Sequence, residues 1–229
     1  MEKNKIVSVV VVLIVVLAAI GYFMFRGNTA PVVAGVATVN GVSISKATYD
    51  TQLASTISSY QAQGVDVTSA DKLALIKTQV LDDLINNELV AQGIKTTGIT
   101  VTPAEVDTQV QDIITQAGGA TQYQAELTKA NLTEAQLRDN ISKQLAIQKY
   151  LAANINTAGI TVSDAEIAQF YTDYSKAQTT ASSTVKVPAL KDLSTQIKQQ
   201  LTSNKQQLLI NEFIVSLRSK ATIATSTAL

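Results

Sequence analysis

The densest group of ionisable side chains in the sequence is Asp82-Asp83 with Glu88. Two carboxylates share acid–base work only when they face one another. Asp82 and Asp83 fall in a helical pattern, where neighbours point about 100° apart. They form no dyad by themselves and read as a solvated helix face. Glu105 and Glu166 follow a hydroxyl residue, Thr102 or Ser163, by three positions. In that capping-box spacing the Glu reaches back to a backbone N–H rather than acting as a catalytic acid. The chain has no Cys and no His. Disulfides, thiolate metal sites, Cys nucleophiles and a lipid-modified Cys anchor are excluded. So are a Ser-His-Asp triad and a His-based zinc site. Neither G-x-x-x-x-G-K-[ST] nor G-x-G-x-x-G occurs, so nucleotide binding is not expected. The sequence points to no catalytic residue, no cofactor and no metal.

Charge narrows the partners. Eighteen Lys and Arg balance eighteen Asp and Glu. Lys3, Lys5 and Arg26 against Glu2 make the first 26 residues +2, which leaves −2 (15 basic, 17 acidic) for the rest. No basic nucleic-acid footprint is present. Phe170, Tyr171 and Tyr174 form an aromatic patch. Core packing and a sticky surface for apolar peptide segments are both open readings of it.

Residues 6–25 (IVSVVVVLIVVLAAIGYFMF) are uncharged, and fourteen of the twenty are Ile, Val, Leu or Phe. At ~1.5 Å per residue they span about 30 Å, the hydrocarbon thickness of a bilayer. Their insertion is favourable by on the order of 4–8 kcal/mol. The run exceeds the apolar region of a cleaved signal peptide, ~7–15 residues. Thr29-Ala30, the best cleavage candidate, is followed by Pro31. A retained transmembrane anchor contacting lipid is expected. Lys3 and Lys5 place the N-terminus in the cytoplasm. Residues 27–229 are then extracytoplasmic, periplasmic or on the cell surface.

After a linker (27–35), VATVN (36–40) alternates and is β-branched, and Gly41 turns the chain. The remaining long segments have helical spacing. A first helix follows Ser45 and stops at Gly64. A second covers about 70–96, with Gly93 inside it at ~1 kcal/mol relative to Ala, so early fraying is expected. Thr102, Pro103 and Glu105 start a third, ended by Gly118-Gly119. A short helix at about 121–130 precedes a long one, capped by Thr133 and Gln136, that runs to about 154. Ser163 caps a helix carrying Ile167, Phe170, Tyr171 and Tyr174. Residues 175–188 lack an apolar period and read as a loop. The last helix starts at Pro188, with Leu190, Leu193, Ile197 and Leu201 as its stripe, continued by Leu209, Phe213 and Leu217. KATIA (220–224) is expected to pair with VATVN, because a lone strand leaves its backbone groups unpaired. GITVTPAE (98–105) recurs as GITVSDAE (159–166): an extended approach, a hydroxyl cap and a Glu reaching back.

Five stretches in order resemble the SurA/PrsA/PpiD family of extracytoplasmic chaperones. They are VATVNGVSISKATYD (36–50), QVLDDLINNELVAQGIKTTGITVTPAEVDTQV (79–110), LTKANLTEAQLRDNISKQLAIQKYL (127–151), ITVSDAEIAQFYTDY (160–174) and the last helix. The resemblance implies a mainly α fold. It would be a multi-helix SurA N-terminal-type domain over 36–229, with a two-stranded β pairing of the chain ends, behind a tail and anchor at 1–26. In that family a parvulin domain, which isomerises X-Pro bonds, usually follows the helix matched by 163–174. Here that interval holds 14 residues, 175–188, and parvulin sites typically use His. What is implied is the chaperone half without the foldase half.

The expected function is therefore a membrane-anchored, ATP-independent holdase. Its partners would be unfolded or newly exported polypeptides, held in an apolar helical cradle. Phe170, Tyr171, Tyr174, Phe213 and Leu217 are the candidate client-binding surface. Two other readings stay open: a minimal prolyl isomerase with residual foldase activity, and a structural or adhesive surface protein.

Overall fold

The computed structural model describes residues 35–181 and 187–226. The apolar run 6–25 lies outside these residues. Among the described residues no helix is long and apolar enough to cross a membrane.

VATVN forms strand β1, Gly35–Val39, with Val36, Ala37 and Val39 buried. Asn40 and Gly41 follow with φ of 50° and 84°. Two successive positive φ values make the tight turn whose twist matches a hairpin. The chain returns as β2, Val42–Ser45. The last strand, β3, is Ile223–Thr225, and the sheet order is β2-β1-β3, antiparallel throughout. Val39 pairs with Ile223 and Ala37 with Thr225, so the expected pairing of the chain ends forms. It is part of a three-stranded sheet rather than a two-stranded one. β2 was not anticipated, since half of its four residues are Ser and the last is also a helix cap.

Seven helices are described: α1 Lys46–Ala62, α2 Ala70–Thr97, α3 Pro103–Ala117, α4 Ala120–Lys129, α5 Glu134–Asn154, α6 Asp164–Ala181 and α7 Leu190–Ser219. Their starts follow local chemistry. Ser45 and Ser69 accept from the N–H groups of Thr48 and Lys72, and Thr102 caps α3 with Pro103 at N1. α2 and α3 end on left-handed glycines, Gly98 and Gly118.

Three expectations need correction. Gly93 does not fray α2, which continues to Thr97. The Tyr150 ring lies where a Cβ on Gly93 would stand, its hydroxyl 2.1 Å from that point. α6 continues to Ala181, so 175–181 is helix rather than loop. Those seven residues contain no Gly or Pro, and an absent apolar stripe does not prevent a helix from forming. The last helix starts at Leu190 instead of Pro188.

The chain divides into two compact units: the residues up to Tyr150 together with those from Leu217, and Leu151–Ser216. The first unit holds two cores. One surrounds the sheet, with Val39, Tyr49, Val80 and Ile85 fully or nearly fully buried, and Leu217, Ala221 and Ile223 packed against it. The other joins α3, α4 and α5 through Val110, Tyr123, Leu127 and Leu137. Each aliphatic side chain buried to this degree contributes about 1.5–3 kcal/mol. The returning chain end is also tied by polar contacts. Asn40 donates to Gln92 Oε1 at 2.8 Å and accepts from the Thr222 N–H at 2.8 Å. Arg218 donates to Asp82 at 2.8 Å and to Asn86 at 2.9 Å.

The second unit is built differently. Among its described apolar residues only Ile155, Ile167 and Ile197 are buried. Leu208 and Val215 on α7 are 60% and 65% exposed. Seven residues is two helical turns, so these two share a face.

Candidate functional site

The second unit contains an apolar cleft of about 210 Å³, lined by Phe170 and Tyr174 of α6 and by Leu193, Gln196, Ile197 and Gln200 of α7. Phe170 and Tyr174 are four residues apart, as are Leu193 and Ile197, so each pair stands on one face of its helix. Gln196 and Gln200 continue the α7 wall one position before and three after Ile197. The lining thus has two aromatic rings, two aliphatic chains and two primary amides. None of these groups carries a charge. Tyr174 is 38% exposed, and Gln196 and Gln200 are exposed as well, so both walls of the cleft reach water. Its volume is below the ~300–1,000 Å³ of small-molecule sites. It suits one or two large side chains of a peptide.

Of the five residues proposed from sequence, Phe170 and Tyr174 line this cleft together. Tyr171 does not; its hydroxyl donates to the Pro188 carbonyl at 2.9 Å. Phe213 is half-buried on α7 within the second unit. Leu217 belongs to the first unit and packs against the core around the sheet. A stripe at helical spacing serves successive partners when a long helix passes from one unit into the next. The α7 contributors Leu193 and Ile197 belong to the apolar stripe expected on the last helix, and Gln196 and Gln200 carry no expectation from sequence. Amides on the flank of an apolar stripe were the available signal.

Two of the three clustered carboxylates have structural partners, while Asp83 lies exposed. Asp82 pairs with Arg218, and Glu88 accepts from Gln92 at 2.8 Å. Among the described residues no three His, Cys, Asp or Glu are grouped to hold a metal ion.

The repeated octapeptides fold alike. Glu105 Oε2 accepts from the Thr102 N–H at 2.8 Å while Thr102 Oγ1 accepts from the Glu105 N–H at 3.4 Å. Glu166 and Ser163 do the same at 2.9 and 3.3 Å. A lysine completes each. Lys149 Nζ is 2.7 Å from Glu105 Oε1 and 2.9 Å from the Thr100 carbonyl. Lys205 Nζ is 2.6 Å from Glu166 Oε1 and 2.6 Å from the Thr161 carbonyl. Hydrogen bonds from the lysine, then from the backbone and hydroxyl of the cap, lower both carboxyls to about 2. Both glutamates are therefore ionised at neutral pH and occupied in holding helix starts.

A family model described as the SurA-like N-terminal domain matches residues 1–151. That match stops where the second unit begins. No curated protein matches the sequence. Among solved structures, the chain is similar to one of two structurally related SurA-like chaperones of Campylobacter jejuni, the virulence factor PEB4 and the periplasmic protein Cj1289. The TM-score is 0.56 at 14% identity, over 85% of this chain and 100% of that one. With 151 of its 229 residues matched by the family model, the chain belongs to the SurA-like N-terminal domain family.

Proposed function

We propose that the protein is a membrane-anchored, ATP-independent chaperone that holds unfolded or newly exported polypeptides. Residues 6–25 anchor it, the N-terminus lies in the cytoplasm, and residues 27–229 work on the other side. The observation that carries this reading is the open, uncharged cleft of the second unit, lined by Phe170, Tyr174, Leu193 and Ile197 with Gln196 and Gln200 beside them. Apolar walls receive whichever large side chain an unfolded segment offers. The two amides donate to and accept from its backbone. Neither interaction reads a particular sequence, as a holdase requires. The description of PEB4 and Cj1289 as SurA-like chaperones agrees with this role. Tethering confines the cleft to the membrane surface, which raises its concentration where exported chains emerge.

The test uses the full chain in lipid nanodiscs, with empty nanodiscs as control. A chemically unfolded model protein is diluted into it and light scattering is followed. Suppression at equimolar chaperone is expected. Scattering that matches empty nanodiscs at equimolar and at tenfold excess removes the proposal.

A further inference from the structure

Three capping boxes occur among the described residues, and they differ in one respect. At Thr133–Gln136 the reaching side chain is an amide, whose Oε1 accepts from the Thr133 N–H and hydroxyl at 2.9 Å each. At Thr102–Glu105 and Ser163–Glu166 it is a carboxylate, and there a lysine from a later helix sits on it. Capping alone is served by Gln as well as by Glu. The charge is used where a second helix has to be held. Each lysine also donates to the carbonyl two residues before the cap. The contact therefore fixes both the approach and the first turn, in one geometry rather than as a loose pair of ions.

In the second unit this clamp lies at one end of the cleft. Glu166 is one turn before Phe170 on α6, about 6 Å along the axis. Glu166, Phe170 and Tyr174 recur at intervals of four, as do Leu193, Ile197, Leu201 and Lys205 on α7. Both ladders run from the ion pair into the cleft lining. Apolar burial holds the walls together without fixing their spacing, because it is non-directional; among the described side chains Ile167 is the buried apolar one on α6 and Ile197 the one on α7. We infer that Glu166 and Lys205 are positioning residues that set the separation of α6 and α7 across the cleft, with Glu selected over Gln at 166 for that purpose. The proposal that the cleft takes client segments is what gives this spacing its functional meaning.

The absence of cysteine makes a distance measurement clean. Thr172→Cys and Gln199→Cys, both at exposed positions, carry spin labels on the full chain in nanodiscs, and the α6–α7 distance distribution is recorded. Glu166→Gln keeps the cap and removes the charge. Lys205→Gln breaks the same contact and leaves the cap untouched. Each is expected to broaden the distribution, the double variant no further than either single one, and Lys205→Arg to retain the parent distribution. Glu105→Gln, in the other clamp, serves as control and should leave it unchanged. Client affinity should fall by about two- to fivefold in Glu166→Gln and Lys205→Gln, the size expected of a partly exposed ion pair. A distribution identical to the parent in both single variants overturns the inference, whatever happens to binding. A broadened distribution with unchanged client affinity upholds the clamp and removes the cleft as the client site.

Discussion

Replacing Gly93 by Ala sets two known quantities against each other. In an exposed helix the change is favourable by about 1 kcal/mol. Here the new Cβ would stand 2.1 Å from the Tyr150 hydroxyl and 2.3 Å from Cζ, well inside contact distance. Tyr150 is 4% exposed, so the ring has little room to yield. Overpacking of this kind costs about 1–3 kcal/mol when neighbours shift. If the ring is expelled, ~150–250 Å² of aromatic surface returns to water, about 4–6 kcal/mol. Subtracting the propensity gain leaves a destabilisation of about 0–2 kcal/mol where neighbours shift and about 3–5 kcal/mol where the ring is expelled. Urea titration followed by far-UV circular dichroism measures this. The decisive comparison is a double-mutant cycle. In a Tyr150→Ala background the same Gly93→Ala change meets no ring and should become stabilising by about 1 kcal/mol. Equal effects of Gly93→Ala in the two backgrounds would refute the argument that this glycine is there to seat the ring.

Three further outcomes are expected. Asn40→Ala removes the contacts to Gln92 and to the Thr222 N–H and leaves a residue at φ 50° that tolerates it poorly; unfolding free energy should fall by about 2–3 kcal/mol, and Asn40→Gly, which restores only the backbone freedom, by less. Glu105 and Glu166 are held at about 2, below the ~4.3 of an unfolded Glu, so their contribution is complete above that value and is lost as pH falls towards 2; thermal melts between pH 5.5 and 2.5 should show a shallower decline for Glu105→Gln/Glu166→Gln than for the parent. Phe170→Ser/Tyr174→Ser should weaken client capture by roughly tenfold, equal to ~1.4 kcal/mol of lost apolar contact; full retention of capture in the scattering assay would move the site elsewhere.

What could be read from the sequence was local chemistry. The caps at Thr102, Thr133 and Ser163 need only residues three positions apart. The return of KATIA to VATVN follows from unpaired backbone groups, and the chain ends do meet. Features that depend on distant partners were not visible. Lys149 meets Glu105 across 44 residues, and nothing in the periodicity of α5 marks that lysine. Gly93 looked like a weakness because its reason, Tyr150, comes more than fifty positions later. β2 is too short and too polar to show alternation, and the end of α6 carries no apolar stripe. Among the site residues, Phe170 and Tyr174 stood out by type. Leu217 misled because its stripe continues that of α7 although its contacts belong to the core around the sheet.

The place of β3 has a consequence for synthesis and export. Val39 pairs with Ile223, so the first sheet receives its third strand from residues 184 positions further on. At ~5–20 residues per second of elongation, about 10–40 s separate the two partners leaving the ribosome. Throughout that interval β1 presents an unpaired edge, and Asn40, Asp82 and Asn86 lack the partners that Thr222 and Arg218 supply. The protein is during that time an incomplete chain with an open strand edge, the kind of molecule that recruits helpers. A chain arrested before residue 217 remains in that state.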